Sequence, residues 1–274
     1  MMETIRIEDA DDPRIAEFQA VRDRDLTGRG GRFIAEGTVV LRMLAQAHRA
    51  KSGFVAEKLL LLENRVSGLE DILGRFPDDV PVYVASSAVL DRIVGFHLHR
   101  GVLAIGRRAE EPSIADLLQN LPEKTLVVAA FGISNHDNIG SIFRNAAAFG
   151  ADAVLLDAAC CDPLYRKSLR VSVGSVLSVP YARTGTMTEL LDALMSRDFA
   201  IWGLSPAGHV EIREVSPHPQ MALITGTEGE GLPAHILSAV KTARIAQMPG
   251  LDSLNAATAT GIALYEIAMR QGRL

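Results

Sequence analysis

Residues 245–266 read IAQMPGLDSLNAATATGIALYE, from Ile245 to Glu266, and this stretch says more than any other about how the chain folds. A Gly-containing turn leads into the triplet Ser253-Leu254-Asn255, and a run of mostly small residues follows. Asp252 or Ser253 is the expected helix cap, since short polar side chains satisfy the free N–H groups of a first turn. Ala256, Ala257, Ala259, Gly261 and Ala263 then leave room for another backbone to pack unusually close. Polar groups able to serve a ligand therefore stand where a loop becomes a helix. Capping alone is the plain alternative for Ser253 and Asn255.

Two earlier segments have the same loop-to-helix character. Asn138-Ile-Gly-Ser-Ile-Phe-Arg144 follows the apolar run Leu126 to Phe131 and the turn formers Gly132 to Asp137. Asn138 is an expected N-cap, and Ile142, Phe143, Ala147 and Phe149 supply packing. On spacing alone, Arg144 reads as a surface ion pair. Gly226-Thr-Glu-Gly-Glu-Gly231 follows the strand-like Met221 to Thr225 and precedes Leu232-Pro233, with Pro233 suited to a first helical turn. It is no P-loop, because no Lys-Ser/Thr follows. It is also a poor dinucleotide loop, because Glu228 and Glu230 would set two anions where a pyrophosphate must sit. An acidic hairpin turn is the weaker alternative directly after an apolar run.

From Thr125 onward strands and helices alternate. Leu126 to Phe131 and Ala153 to Leu156 are almost wholly apolar, as strands buried on both faces should be. Val176 to Val179, Phe199 to Leu204, Met221 to Thr225 and Ala243 to Gln247 read as further strands. Ile139 to Phe149 and Met187 to Ser196 read as helices. The pattern predicts an α/β domain with a doubly wound parallel sheet over 125–274, whose ligand belongs at the carboxyl edge of the strands. A smaller α/β domain over 1–107 precedes it. Its expected strands are Phe33 to Glu36, Lys58 to Leu62, Val80 to Ala85 and Gly101 to Gly106, with a helix carrying Val39, Val40, Met43, Leu44 and Ala47 on one face. Charges, Pro112 and Pro122 mark 108–124 as a tether around a short helix, Ile114 to Asn120.

Composition narrows the function. With 274 residues and 48% hydrophobic content the chain can bury one large core or two modest ones. No apolar run reaches bilayer length, and the acidic opening MMETIRIEDADDPR lacks the apolar core of a secretion signal. The two cysteines, Cys160 and Cys161, are adjacent, which suits neither an ordinary disulfide nor a chelating metal pair. Reduced thiols, no metal, no membrane partner and a cytoplasmic location are the expectations. A net charge of −5 argues mildly against a nucleic-acid partner, but distribution matters more than the total. Arg22, Arg24, Arg29 and Arg32 cluster in VRDRDLTGRGGRF. Arg100, Arg107 and Arg108 form a second group, and Arg166, Lys167 and Arg170 a third. Each alone is a solvated face; together they leave room for a local RNA track.

In order and in position, the three motifs resemble those of the SpoU/TrmH family, the RNA 2′-O-ribose methyltransferases of the SPOUT superfamily. The resemblance runs roughly from Leu126 to Arg270. One departure is Ile245-Ala246-Gln247, where the family pattern usually has Ile-Pro-Met. Arg170-Val-Ser-Val-Gly174 resembles a further family segment, Arg-x-Ser-x-Gly. FIAEG at 33–37 and HRGVLAI at 99–105 look like the family's ribosomal-protein-like substrate-binding domain.

The resemblance implies a deep trefoil knot in the C-terminal domain, a homodimer with the active site near the subunit interface, and methyl transfer from S-adenosylmethionine to a 2′-hydroxyl of structured RNA, ribosomal or transfer. By the same carry-over Gly226, Ile245 and Leu254 line the methyl-donor pocket, and Asn138, Arg144, Glu228, Ser253 and Asn255 form the catalytic constellation. Arg22, Arg24, Arg29, Arg32 and Arg170 are the expected RNA contacts. A guanidinium stays protonated near neutral pH, so Arg144 suits orientation and charge stabilisation better than proton abstraction. Two other classes stand beside this reading. One is a knotted RNA binder without catalysis. The other is a nicotinamide-dependent oxidoreductase, disfavoured because the first strand of the C-terminal domain is not followed by a glycine-rich turn.

Overall fold

The computed structural model describes residues 3–19, 26–27, 30–95, 101–109, 111–250 and 252–274. Arg22, Arg24, Arg29 and Arg100 lie outside the described residues. Two compact units emerge, one of residues 1–110 with 164–178, the other of 111–163 with 179–274.

The first unit is a mixed five-stranded sheet in the order β1-β4-β3-β5-β2, built from β1 (Thr4–Ile7), β2 (Arg32–Glu36), β3 (Phe54–Leu62), β4 (Val82–Ala85) and β5 (Val102–Arg108). Helices α1 (Thr38–Ala50), α2 (Glu70–Leu73) and α3 (Ser87–Val94) fall between the strands. Alternation along β2 and β5 sends Ile34, Leu103 and Ile105 into one core with Ile15, Phe18 and Leu90. On α1, Val40, Leu44 and Ala47 are buried as their spacing predicts, but Val39 is exposed.

The second unit is a seven-stranded sheet, every pairing parallel, in the order β10-β12-β9-β11-β6-β7-β8. Its strands are β6 (Thr125–Ala130), β7 (Ala153–Leu156), β8 (Tyr181–Arg183), β9 (Ala200–Leu204), β10 (Val210–Glu211), β11 (Gln220–Thr225) and β12 (Lys241–Arg244). The α/β class with a parallel sheet is as the sequence predicts. Strand β6 is buried along its whole length. Its Val127 and Ala129 enter a core with Leu117, Leu118, Leu190 and Leu194, from α4 (Ile114–Gln119) and α7 (Met187–Met195). Helices α5 (His136–Ala148) and α9 (Ala256–Arg270) pack on each other, α9 also reaches β11, and a short α8 (Ala234–Ala239) precedes β12.

Three expectations need correction. The segment 108–124 is no free tether: β5 runs to Arg108, and Leu117 and Leu118 of α4 are core residues of the second unit. Val176 to Val179 is not a strand. A left-handed Gly174 (φ 81°) throws Ser175–Leu177 into a 3₁₀ turn, and the strand follows at Tyr181–Arg183. Strand β12 ends at Arg244, so Ile245 to Gln247 is loop and open to the carboxyl edge.

A fourth difference, in how the units divide the chain, is larger. Helix α6 (Arg166–Val171) and the 3₁₀ turn after it lie in sequence between β7 and β8 but belong to the first unit. A Cβ on Gly174 would stand 2.8 Å from Met43 of α1, and Arg166 and Arg170 face Glu36 at the end of β2, at 3.7 and 3.6 Å.

Candidate functional site

Strand order reverses at the β6–β11 pair: β7 and β8 continue to one side, β9, β12 and β10 to the other. Loops leaving the carboxyl ends diverge at such a point and open a crevice. A cavity of about 420 Å³ occupies this edge, walled by residues following β9, β11 and β12 and by the start of α9. Gly226, Glu228, Ile245, Ser253, Leu254 and Asn255 all line it. Ser205 and Pro206 line it too, and sequence reasoning missed them; the turn formers just after strand β9 were the available signal.

The Gly226 motif folds as a tight acidic turn, the alternative ranked lower on sequence. Gly231 N–H donates to the Thr227 carbonyl at 3.1 Å, and the two residues form an antiparallel bridge. Gly226 is required by close approach: a Cβ there would lie 2.4 Å from the Gly231 carbonyl carbon. The turn presents Glu228 to Asn138 and Asn255.

Those three side chains form one network. Asn138 Nδ2 and Asn255 Nδ2 both donate to Glu228 Oε1, the second at 2.7 Å, and Asn255 Nδ2 also reaches Asn138 Oδ1 at 2.9 Å. Asn138 is not the cap of α5. Asn135 caps it, accepting from Asp137 N–H at 2.9 Å, which frees Asn138 to lie buried one turn inside. Nor do Asp252 or Ser253 cap α9; Asn255 does, accepting from Ala257 and Thr258 N–H at 3.0 and 3.1 Å. Asn255 thus caps a helix with its oxygen and holds Glu228 with its nitrogen.

The loop that carries α5 is fixed from below. Asp157 Oδ1 accepts from Gly132 N–H and from Cys160 N–H, both at 3.0 Å. The Cys160 thiol accepts from Ile133 N–H and donates to the Ala130 carbonyl. Burial, with Asp157 beside it, raises the Cys160 pKa far above the ordinary thiol range; burial pushes Cys161 up to about 11. Both cysteines are free. Cys160 is therefore a packing and hydrogen-bonding residue of the loop.

Small residues of α9 meet α5 as their pattern predicts. Asn145 Nδ2 donates to the Ala257 carbonyl at 2.9 Å, and a Cβ on Gly261 would stand 2.7 Å from that amide nitrogen.

Arg144 is not brought to the network. At 100° per residue it lies about two thirds of a turn round α5 from Asn138. It is exposed, lines no part of the cavity and has no hydrogen bond or ion pair among the described residues.

The cavity wall carries Glu228, Glu230 and Asp252 and, among the described residues, no Lys, Arg or His. Such a lining repels phosphate and suits a ligand with a positive centre. No group of three or more His, Cys, Asp or Glu able to hold a metal occurs among the described residues. No helix among them is long and apolar enough to cross a membrane.

Residues 125–265 match the model of the SpoU rRNA methylase family. An uncharacterized tRNA/rRNA methyltransferase of Mycobacterium tuberculosis is 40% identical, over 94% of this chain and 89% of its own length. A solved RNA 2′-O ribose methyltransferase is similar at 26% identity, with a TM-score of 0.79 over 98% of this chain and all of that one. The fold is also that of an AdoMet-bound rRNA methyltransferase from Sinorhizobium meliloti: TM-score 0.81, 24% identity, 97% of this chain and 98% of the other covered.

Proposed function

The chain belongs to the SpoU rRNA methylase family, and from that premise we propose that it is an S-adenosylmethionine-dependent RNA methyltransferase acting on a ribose 2′-hydroxyl of ribosomal or transfer RNA. The observation that carries this reading is the Asn138–Glu228–Asn255 network at the wall of a cavity lined by three carboxylates. Those carboxylates suit a sulfonium and disfavour the pyrophosphate of a nicotinamide dinucleotide.

Gly226, Ile245 and Leu254 would hold the methyl donor, chiefly through backbone groups. When bound, the donor supplies an electrophilic methyl carbon and, in sulfur, a leaving group. Asn138 and Asn255 fix one oxygen of Glu228; the other accepts no hydrogen bond among the described residues and is open to a ribose hydroxyl or to the donor. Ser253, on the same wall, would hydrogen-bond substrate. Arg144 would orient the ribose and its phosphate and stabilise charge developing on the 2′-oxygen.

A homodimer completes this reading. Ile262, Tyr265 and Met269 are exposed at helical spacing on α9, and Phe149 lies edge-on to Tyr265 at 5.7 Å. An apolar strip on α9 supports association through this face, and the exposed Arg144 on neighbouring α5 would then serve a second copy's cavity. The deep knot belongs to the same proposal, as does assignment of the first unit to substrate RNA, with Arg22, Arg24, Arg29, Arg32 and Arg170 as contacts.

The test is transfer of labelled methyl groups to unfractionated rRNA and tRNA, followed by mapping of 2′-O-methyl positions with and without the gene. Methyl on a base instead of a ribose would overturn the finer assignment. S-Adenosylhomocysteine should also raise the melting temperature while NAD does not.

A further inference from the structure

Arg32 and Arg107 are direct register partners on the antiparallel strands β2 and β5. Like charges directly opposite each other destabilise a strand pair, so this placement needs compensation. It comes from the third strand. Strand β3 pairs Ala56 with Gly106 and Lys58 with Ile105, leaving Glu57 as the extra residue of a β-bulge. Bulges re-aim side chains, and this one sends a single carboxylate between the two guanidiniums. Arg32 Nε donates to Glu57 Oε2 at 2.6 Å, and Arg107 Nε donates to Glu57 Oε1 at 2.7 Å.

Each arginine thus engages the carboxylate through Nε alone. A guanidinium carries five N–H donors, and among the described residues the terminal amino groups of both arginines have no other partner, which leaves them for another acceptor. The side chains of Arg32 and Arg107 are 39% and 38% exposed, whereas Glu57 is 21% exposed. The carboxylate is the more buried partner and the two arginines the more exposed. Lys58 and Glu17 pair beside them at 2.9 Å, so these five described side chains carry three cations and two carboxylates.

The geometry points to Arg32 and Arg107 as a seat for a phosphodiester of substrate RNA, with Glu57 as the positioning residue that holds the two forks side by side. Paired arginine forks match the oxygens of a phosphate better than ammonium groups do. The inference rests on the RNA methyltransferase reading. It adds Arg107 and Glu57 to the RNA surface and gives Arg32 a defined partner.

Filter binding of unfractionated tRNA and fragmented rRNA across a salt series tests it, with melting temperature and S-adenosylhomocysteine binding measured on each variant. Arg32→Ala/Arg107→Ala should weaken RNA binding about tenfold or more. It should also flatten the slope of log affinity against log salt by about 0.7–0.9, the amount expected for one neutralised phosphate. Arg32→Lys/Arg107→Lys should keep most of that slope but lose affinity. Glu57→Gln should weaken binding a few-fold although it removes a negative charge, a direction opposite to simple electrostatics. A double-alanine variant with a lowered melting temperature but unchanged RNA affinity and slope would reduce the cluster to a cross-strand strut. Tighter RNA binding by Glu57→Gln would overturn the positioning role. If the wild type binds S-adenosylhomocysteine and RNA while every variant matches it, the seat is wrong and the methyltransferase reading stands. If the wild type binds neither, both fall.

Discussion

Asn255 Nδ2 donates to Glu228 Oε1 at 2.7 Å while Asn255 Oδ1 caps α9, so one amide ties the acidic turn to the last helix. The two halves of that amide separate by substitution. Asn255→Ala loses cap and tether together, which costs about 1 kcal/mol of stability and roughly 2–4 °C of melting temperature. Asn255→Asp keeps an oxygen for the Ala257 and Thr258 N–H groups but sets a carboxylate against Glu228. It should melt close to wild type and transfer methyl groups poorly. Thermal melts beside single-turnover methylation decide, and wild-type turnover by Asn255→Asp would remove the tether from the mechanism.

The Glu57 carboxyl gives a pH dependence whose sign can be worked out. Burial raises its pKa, but hydrogen bonds and charge from Arg32 and Arg107 outweigh burial and hold it below the ordinary range. A folded pKa below the unfolded one means stability that is present above the unfolded value, about 4.3, and lost as pH falls through the folded value. The destabilisation caused by Glu57→Gln should therefore be constant from neutral pH down to about pH 5 and shrink below about pH 4. Urea melts at several pH values measure it. A deficit growing as pH falls would contradict the ion-pair account.

Truncation tests how the two units share the chain. Leu164, Leu169, Val176 and Leu177 are buried, and their segment belongs to the first unit although sequence places it between β7 and β8. Removing 1–110 takes away β2 and α1, against which that segment packs. The remaining chain should expose apolar surface, bind a hydrophobic dye and melt well below the full protein. A further deletion of 164–178, closed by a short Gly-Ser loop, should restore much of the lost stability. Full stability in the simple truncation would mean that the segment folds without the first unit.

Much of the sheet was legible because strands buried on both faces leave apolar runs, as Leu126 to Phe131 does. The three motifs were legible as loops at strand ends. Caps were harder: Asn135 competes with Asn138, and Asn255 with Asp252 and Ser253. Residues two or three apart offer the same chemistry, and only backbone angles choose between them. The turn at Gly174 was hidden because Val176, Leu177 and Val179 fit a short strand as well as a 3₁₀ turn. The contact of Glu57 with Arg32 and Arg107 was invisible, since a bulge is a relation between two strands and leaves no mark in one. The segment 164–178 carries ordinary core residues, and nothing in its composition says which core they join.

Cysteine chemistry should be slow. Only thiolate reacts, and Cys161, pushed up to about 11 chiefly by burial, holds little of it at pH 8. Alkylation of Cys161 by iodoacetamide should run roughly two orders of magnitude slower than that of a free cysteine and rise about tenfold per pH unit up to pH 10. Cys160, buried and bonded within the loop that carries α5, should react more slowly still. Mass spectrometry of a pH series reads both. Rapid labelling of either at pH 8 would show that this loop opens.

Arg144 offers the sharpest test, because its place in the structure and its proposed role pull apart. Asn138, Glu228 and Asn255 meet, whereas Arg144 stands exposed on another face of α5. If it acts on the ribose and its phosphate, Arg144→Ala should lower the single-turnover rate roughly a hundredfold to a thousandfold, as loss of a charge-stabilising donor does. Cofactor affinity should stay at the wild-type level, since Arg144 does not line the cavity. Arg144→Lys should recover little, because an ammonium lacks the planar fork. The proposed homodimer adds a second arm. Unfolding and refolding Arg144→Ala together with Asn255→Asp should restore activity that neither has alone, because a mixed dimer unites an intact Arg144 with an intact network. Full turnover by Arg144→Ala would remove the residue from catalysis. Failure of the mixture, with each variant inactive alone and mixed dimers present, would place Arg144 in its own subunit's cavity and require α5 to move when RNA binds.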